Sequence, residues 1–517
     1  MYYTMKYLLL LSVFICVPFS YSQEGLEFSV NQQFYIKGNS ALIGNNIVSI
    51  DATKPYNDNK EINDVLKLEY IDVDNDASTF SSSEANLKLD CEGKQIKYAA
   101  LYWSAIYKYD KGVKRVINNE KIVYRGNDER TENINNVLLK LPESEYLPIE
   151  GTIIFDSFST PYFEHNKPYL CYADITSLLQ NSKLINGTYT LANIKATEGY
   201  ISGGASGGWL LYVIYEDDTV KPKYFTTYNG FINVDRSTVD IRFKDFKTDE
   251  IGEIKTSICL GVLEGDQKYK TDNCSILTTN NQTYKPLSNP IRPVNNFFNG
   301  TITTYDQLYL DRNPNSTNTL GFDVLKMEIP NANNSVISNN STESTIRLQT
   351  KADGFYLFFV AFETEISPIY LEGKNNTETI LVLNNNEDQI EEEPKEIKTK
   401  DIKETTIEKE IKQPKVVTNK KLTPVEKIER LKSIAIPNLN KGYYLVTNVF
   451  SVEENATKWM ATLKEKGHEP YSYINPKNGW HYIYLNHNED ANVVYLKRKE
   501  LAKHDYFKDI WILKINF

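Results

Sequence analysis

Residues Gly203–Glu216 read GGASGGWLLYVIYE, and this stretch decides the fold class. From Trp209 to Tyr215 every side chain is aliphatic or aromatic, and Glu216 and Asp217 end the run. A short apolar run rich in β-branched and aromatic residues, bounded by turn formers, reads as a β-strand. The glycines before it include GxSxG spacing at Gly204, Ser206 and Gly208, but they lead into a strand and not into the helix that follows a nucleophile elbow. They therefore indicate tight backbone packing, not a phosphate loop or a nucleophile elbow. The same pattern recurs in QIKYAALYWSAIY (Gln95–Tyr107), GTIIFDSFS, GTYTLANIKAT, STVDIRFKDF, STIRLQT and GFYLFFVAFETEI (Gly354–Ile366). Helical periodicity is scarce in this region, YADITSLLQN (Tyr172–Asn181) being the exception, with Asp174 as its expected cap. Many short strands between turn signals predict a mainly β chain built from two tandem antiparallel β-sandwiches.

A weak internal echo places the boundary of the sandwiches near EDDTVKPK (Glu216–Lys223), giving expected units 23–218 and 219–383. Beyond them, 384–436 is dense in Glu, Lys, Thr and Pro and almost free of aromatics. Such a segment buries too little apolar surface to offset its ordering entropy and is expected to be a flexible linker. Its ends would average roughly 40 Å apart and reach about 160 Å when stretched. A charged surface helix is the other reading. At the start, Lys6, the apolar run Tyr7–Phe19 and SYS before Gln23 have the form of an export signal over 1–22. Ile15 before Cys16 is bulkier than a lipid-attachment site normally carries. No later run could span a bilayer, so an exported, soluble chain is expected.

The net charge of −10 argues against a nucleic-acid binder. Five histidines form no zinc-type pair, and no cofactor motif is present. Cys91, Cys171, Cys259 and Cys274 follow the export segment. They permit either two disulfides or four buried thiols, and Cys259 and Cys274, which flank a polar turn, are the candidate pair. Asp72, Asp74 and Asp76 alternate as in a calcium loop but lack its Gly and distal Glu. A weak calcium site and a solvated turn are the two readings.

The last residues change pattern again. GYYLVTNVF alternates as a strand, and SVEENATKWMATLKEKG is an amphipathic helix with Ser451 and Glu454 at capping-box spacing. PYSYI and GWHYIYLNH flank the turn NPKNG; ANVVYLKRKELAKHD reads as a second helix and DIWILKINF as a closing strand. The order βαββαβ predicts an α+β unit over 437–517 with both helices on one sheet face. With Leu445, Thr447, Val449, Ile483 and Leu485 toward the helices, Tyr444, Val446, Asn448, Trp480, Tyr482 and Tyr484 fall on the open face. A row of rings on an open sheet suits stacking on sugars; covering the sheet or packing on a protein is the alternative.

Lys441–Phe517 resembles the sporulation-related repeat (SPOR) domain, a peptidoglycan-binding module of bacterial envelopes. The likeness is carried by YYLVTNVFSVEENATKWMATLKEKGHEPY, GWHYIYLN and DIWILKI, with Phe-Ser ending the first strand, an Asn-Ala pair opening the helix and an aromatic last strand. Val446 stands where many relatives have Gln, and Asn448 and Asn486 where they have Gly. The resemblance implies glycan strands as ligand, with Tyr444, Val446, Asn448, Trp480, Tyr482, Tyr484 and Trp511 as contact residues. Ile71–Ile366 resembles β-sandwich segments of Bacteroidota surface proteins linked to gliding motility and type IX secretion, most specifically in GGASGGWLLYVIYE. Together they imply a non-catalytic periplasmic scaffold that anchors an outer-membrane or secreted protein partner to peptidoglycan. An envelope-glycan enzyme and a cell-surface adhesin are the alternatives.

Overall fold

The computed structural model describes residues 25–90, 95–117, 121–126, 130, 133–158, 160, 163–352, 354–374, 424–429, 431, 439–476, 479–507 and 510–515. The export segment, Cys91 and most of the expected linker lie outside them. The chain is mainly β, as its sequence pattern predicts. Eleven strands form one wide sheet in the order Thr152–Asp156, Pro168–Asp174, Ile96–Ile106, Gly207–Glu216, Gly25–Asn46, Pro222–Val234, Phe355–Glu365, Thr256–Gly265, Gly321–Glu328, Ile302–Thr304, Gln307–Leu308. The 22-residue strand Gly25–Asn46 joins its halves. Residues 38–46 pair with Gly207–Glu216, and residues 25–37 pair with Pro222–Val234.

Each half builds a sandwich on one face and packs against the other half on the opposite face. On Gly207–Glu216, Trp209 points outward and donates from Nε1 to Ser83 Oγ at 2.9 Å in the five-stranded covering sheet. The alternate residue Tyr212 meets the Phe359 ring of the second half at 5.8 Å, as does Tyr102 at 5.0 Å. In the second half, Phe362 stacks on Phe243 of the four-stranded covering sheet at 4.3 Å. Central strands are therefore buried on both faces, which is why Gly203–Glu216 and Gly354–Ile366 are apolar without alternation. Each fully buried Leu or Phe in them contributes roughly 1.5–3 kcal/mol. The glycine reading also finds its cause here. A Cβ on Gly208 would lie 2.5 Å from Asn45 O and 2.7 Å from the Phe322 ring. Gly208→Ala is expected to destabilise the fold by about 1–3 kcal/mol in urea unfolding, and an unchanged midpoint would refute this back-to-back packing.

The halves interleave, since Arg312–Asn313 adds to the edge of the first half's covering sheet beside Ser82–Leu87. Buried ion pairs tie strands together: Lys326–Glu363 at 2.9 Å, with Ser40 bonded to both, and Arg292–Asp323 at 2.8 Å. Cys171, Cys259 and Cys274 are free, buried thiols, so the expected Cys259–Cys274 staple is not formed. The reason is geometric: Cys259 faces the core shared with the first half, whereas Cys274 lies in the second sandwich's own core.

The C-terminal unit has the expected βαββαβ order: Gly442–Phe450, helix Glu453–Glu465, Tyr471–Asn475, Trp480–Asn488, helix Ala491–Leu501, Trp511–Ile515. Its antiparallel sheet runs Tyr471–Asn475, Trp480–Asn488, Gly442–Phe450, Trp511–Ile515. Packing begins upstream of residue 437, because Ile428 of the short helix Pro424–Glu429 is buried in the same core as Leu445, Leu463, Ile483 and Val494.

Candidate functional site

Strand alternation sorts the C-terminal sheet into two faces. Leu445, Ile483 and Ile512 join the helix-side core, whereas Tyr444, Val446, Tyr482, Trp511 and Leu513 cluster on the opposite face with Tyr473, Trp480 and Tyr484 against them. One residue departs from the expected alternation. Register shifts around Val446 act as bulges, so Thr447 stays on the helix side, accepting from Trp459 Nε1 at 3.1 Å, while Val449 turns to the ring face. Asn448 lies at that bulge and is half-buried.

The rings form a connected set. Tyr471 stacks on Tyr484 at 5.5 Å, Tyr484 meets Tyr444 edge-on at 5.1 Å, and Tyr444 stacks on His487 at 4.2 Å. Tyr471 and Tyr473 belong to this face by register, opposite Tyr484 and Tyr482, and were not among the residues singled out from sequence. Their period-two spacing in PYSYI was the available signal. Burial and the neighbouring Tyr484 push the Tyr444 hydroxyl up to about 12, and burial also raises Tyr484. The Tyr444 hydroxyl donates to Asn440 O at 2.9 Å inside the fold, whereas Tyr484 is half-buried and its phenol can donate to and accept from a sugar hydroxyl.

The face is not open along its whole length, contrary to the alternation argument. A helical segment at 368–374 sits on it, placing Ile369 among Tyr444, Val446, Val449, Tyr482, Trp511 and Leu513. Tyr444, Val446, Tyr482 and Trp511 are buried in consequence. The accessible rim consists of Tyr471, 51 % exposed, with Tyr473, Trp480 and Tyr484 half-buried beside it. This cover arrives from more than seventy residues upstream of the sheet, which strand periodicity does not encode.

A second contact holds the two bodies together. Glu250 Oε2 accepts from Ser451 Oγ at 2.8 Å and from the backbone N–H groups of Ser451 and Val452 at 3.1 and 3.2 Å. Ser451 is thus not the expected helix cap; the helix starts after Val452 without a side-chain cap. Glu250 instead places a carboxylate at the positive end of the helix, a favourable position. Lys247 lies 5.6 Å over the Phe450 ring, and burial lowers its pKa. Between the bodies is a cleft of ≈480 Å³ lined by Lys244, Lys247, Lys374, Asn448, Trp459 and Trp511 among others.

The calcium candidates act as turn acceptors. Asp72 takes the Ser82 hydroxyl at 3.0 Å, Asp74 takes Asp76 N–H and the Tyr146 hydroxyl, and Asp76 takes Ser78. Among the described residues no group of three or more His, Cys, Asp or Glu is placed to hold a metal. Beside this turn a groove of ≈570 Å³ is lined by Glu69, Tyr70, Asp72, Phe80, Asp110, Lys195 and Glu198. Burial raises the Asp72 pKa. Asp110 accepts from the Tyr107 hydroxyl, and Lys111 pairs with Glu198 at 3.6 Å. Among the described residues no helix is long and apolar enough to cross a membrane.

No family model and no curated protein matches the chain. Among solved structures, the major capsid protein P2 from Bacteriophage PM2 aligns at 9 % identity and a TM-score of 0.17, covering 64 % of this chain and 99 % of that one. PNGase F, a glycosylasparaginase from Flavobacterium meningosepticum, aligns at 12 % identity and a TM-score of 0.16, covering 64 % and 96 %. At these scores neither bears on fold or activity.

Proposed function

We propose that the chain is a non-catalytic periplasmic scaffold that ties an outer-membrane or secreted protein to peptidoglycan. The carrying observation is the connected ring set on one face of the C-terminal sheet, with Tyr471, Tyr473, Trp480 and Tyr484 at its accessible rim. Flat aromatic faces stack on the C–H faces of pyranose rings, and neutral phenols satisfy the sugar hydroxyls. The β body, with its resemblance to gliding and type IX secretion proteins, supplies the partner surface, and the contacts of Glu250 and Ile369 with the C-terminal unit join that surface to the wall-binding rim. In detergent-extracted cells the chain is expected to stay with the insoluble wall and to be freed by muramidase digestion. Release by detergent alone would reject wall anchoring. Tyr471→Ala with Tyr484→Ala is expected to weaken binding to isolated walls by at least about tenfold, the scale of one interfacial hot-spot ring.

The groove at Glu69, Asp72, Asp110 and Glu198 favours one second reading, an envelope-glycan hydrolase steered by the same module, because glycosidic cleavage needs two carboxylates facing a cleft. Release of muropeptides by the purified chain, lost in Asp72→Asn, would establish it. Protease shaving of intact cells separates both readings from a surface adhesin, since a periplasmic chain is shielded.

A further inference from the structure

The cleft between the two bodies is lined by Lys244, Lys247 and Lys374 from one side and by Asn448 and Trp459 of the C-terminal unit from the other. At ≈480 Å³ it falls in the range of roughly 300–1,000 Å³ usual for small-molecule sites. It lies on the opposite half of the sheet from the accessible rim. Asn448 and Trp511 belong to Gly442–Phe450 and Trp511–Ile515, whereas the rim is built on Tyr471–Asn475 and Trp480–Asn488.

Burial sorts the charges of this cleft. Lys247 and Lys374 are half-buried, and their ammoniums face only rings: Phe450 at 5.6 Å for Lys247, Tyr35 and Tyr370 at 5.2 and 5.3 Å for Lys374. Among the described residues neither ammonium makes a hydrogen bond or an ion pair. The half-buried carboxylate, Glu250, is taken up by Ser451 and Val452. Lys244, Asp245 and Glu343 are exposed, so water screens them, and Asp245 accepts from Gln33 at 3.3 Å. A half-buried cation without an acceptor is costly, and an anion in the cleft would supply one. Two further groups suit a sugar. Asn448 is half-buried, and among the described residues its carboxamide makes no hydrogen bond, leaving it to donate to and accept from hydroxyls. Trp459 is half-buried with its indole fixed by the bond to Thr447, giving a rigid apolar surface for a ring's C–H face.

We propose that this cleft binds a carboxylate-bearing saccharide of one or two rings, with Lys247 and Lys374 as counter-ions of the carboxylate and Trp459 and Asn448 against the sugar. Muramic acid of the wall and uronic acids of other polysaccharides both offer this chemistry. The site is separate from the rim and does not depend on the rim holding murein.

The test is isothermal titration of the purified full chain with N-acetylmuramic acid, glucuronic acid and the neutral N-acetylglucosamine. At least one acid is expected to bind, and the neutral sugar at least about tenfold more weakly, the loss of a charge-assisted bond. Binding of the first acid alone assigns the site to the wall, of the second alone to a uronic-acid polysaccharide, and of both to the carboxylate itself. Lys247→Met, which keeps an apolar stem over Phe450, should weaken acid binding by at least about tenfold. Lys374→Met should act in the same direction, and repeats the test at a second position should the first variant fold poorly. Tyr471→Ala with Tyr484→Ala should leave acid binding unchanged, which separates this cleft from the rim. No binding of either acid at millimolar concentration, equal binding of the neutral sugar, acid binding unchanged in both lysine variants, or its loss in the rim variant would overturn the proposal.

Discussion

Arg292→Met is expected to destabilise the β body by about 3–5 kcal/mol, the usual penalty for removing one partner of a buried ion pair. Arg292 is fully buried, and its guanidinium makes bonds in several directions: Nε to Thr303 Oγ1 at 2.8 Å, Nη1 to Phe297 O at 2.7 Å, and Nη2 to Thr301 O and Val324 O at 3.0 and 3.2 Å. It also pairs with Asp323 at 2.8 Å. Methionine fills part of the volume but leaves a buried carboxylate and three carbonyls without their donor. Urea unfolding followed by tryptophan fluorescence measures the loss. Adding Asp323→Leu is expected to recover much of it, because the uncompensated charge is then gone. A loss below about 1 kcal/mol in the single variant would mean that water reaches this site and screens Asp323.

Asp272→Asn is expected to stabilise the protein increasingly as pH rises. Burial, against the bond it accepts from Phe298 N–H at 2.8 Å, pushes the Asp272 carboxyl up to about 7 from an ordinary 3.8. Below about pH 4 the group is neutral in both folded and unfolded chains. Between about 4 and 7 the unfolded chain releases the proton while the folded chain keeps it, so stability falls with rising pH; above 7 the deficit is constant. Asparagine retains an acceptor for Phe298 and does not ionise. The stability difference between variant and parent should therefore grow by about 1.4 kcal/mol per pH unit across that window, to roughly 4 kcal/mol at pH 8. A difference independent of pH between 4 and 8 would show that Asp272 is already ionised in the folded state.

Both predictions concern a polar cluster that the sequence does not announce. Arg292 and Asp272 lie in separate connections and Asp323 in the strand Gly321–Glu328, and only the fold brings Arg292 onto Asp323. The strands themselves were legible, because an unbroken run such as Trp209–Tyr215 has few homes other than a sheet buried on both sides. Which layers cover it was not, since Ser83 and Phe359 meet that strand from opposite sides and from positions more than a hundred residues away. Alternation correctly sorted Tyr444, Trp480 and Tyr482 from Leu445 and Ile483, then failed at Val449 where bulges shift the phase. Local capping rules misassigned Ser451, whose hydroxyl goes to Glu250 across a tertiary contact. Spacing likewise suggested a Cys259–Cys274 bond, although the two side chains face different cores. At Ser451 a partner far away in the chain outcompeted the local rule, and at Val449 a bulge did.

The exposed ring rim is expected to hold murein while Ile369 remains seated on the rest of the face. Sedimentation of the purified full-length chain with isolated sacculi tests it directly. The chain is expected to pellet with sacculi, to be displaced by soluble glycan strands, and to stay in the supernatant when Tyr471 and Tyr484 are both alanine. A chain that remains in the supernatant with sacculi present, or a double variant that pellets as well as the parent, would contradict it.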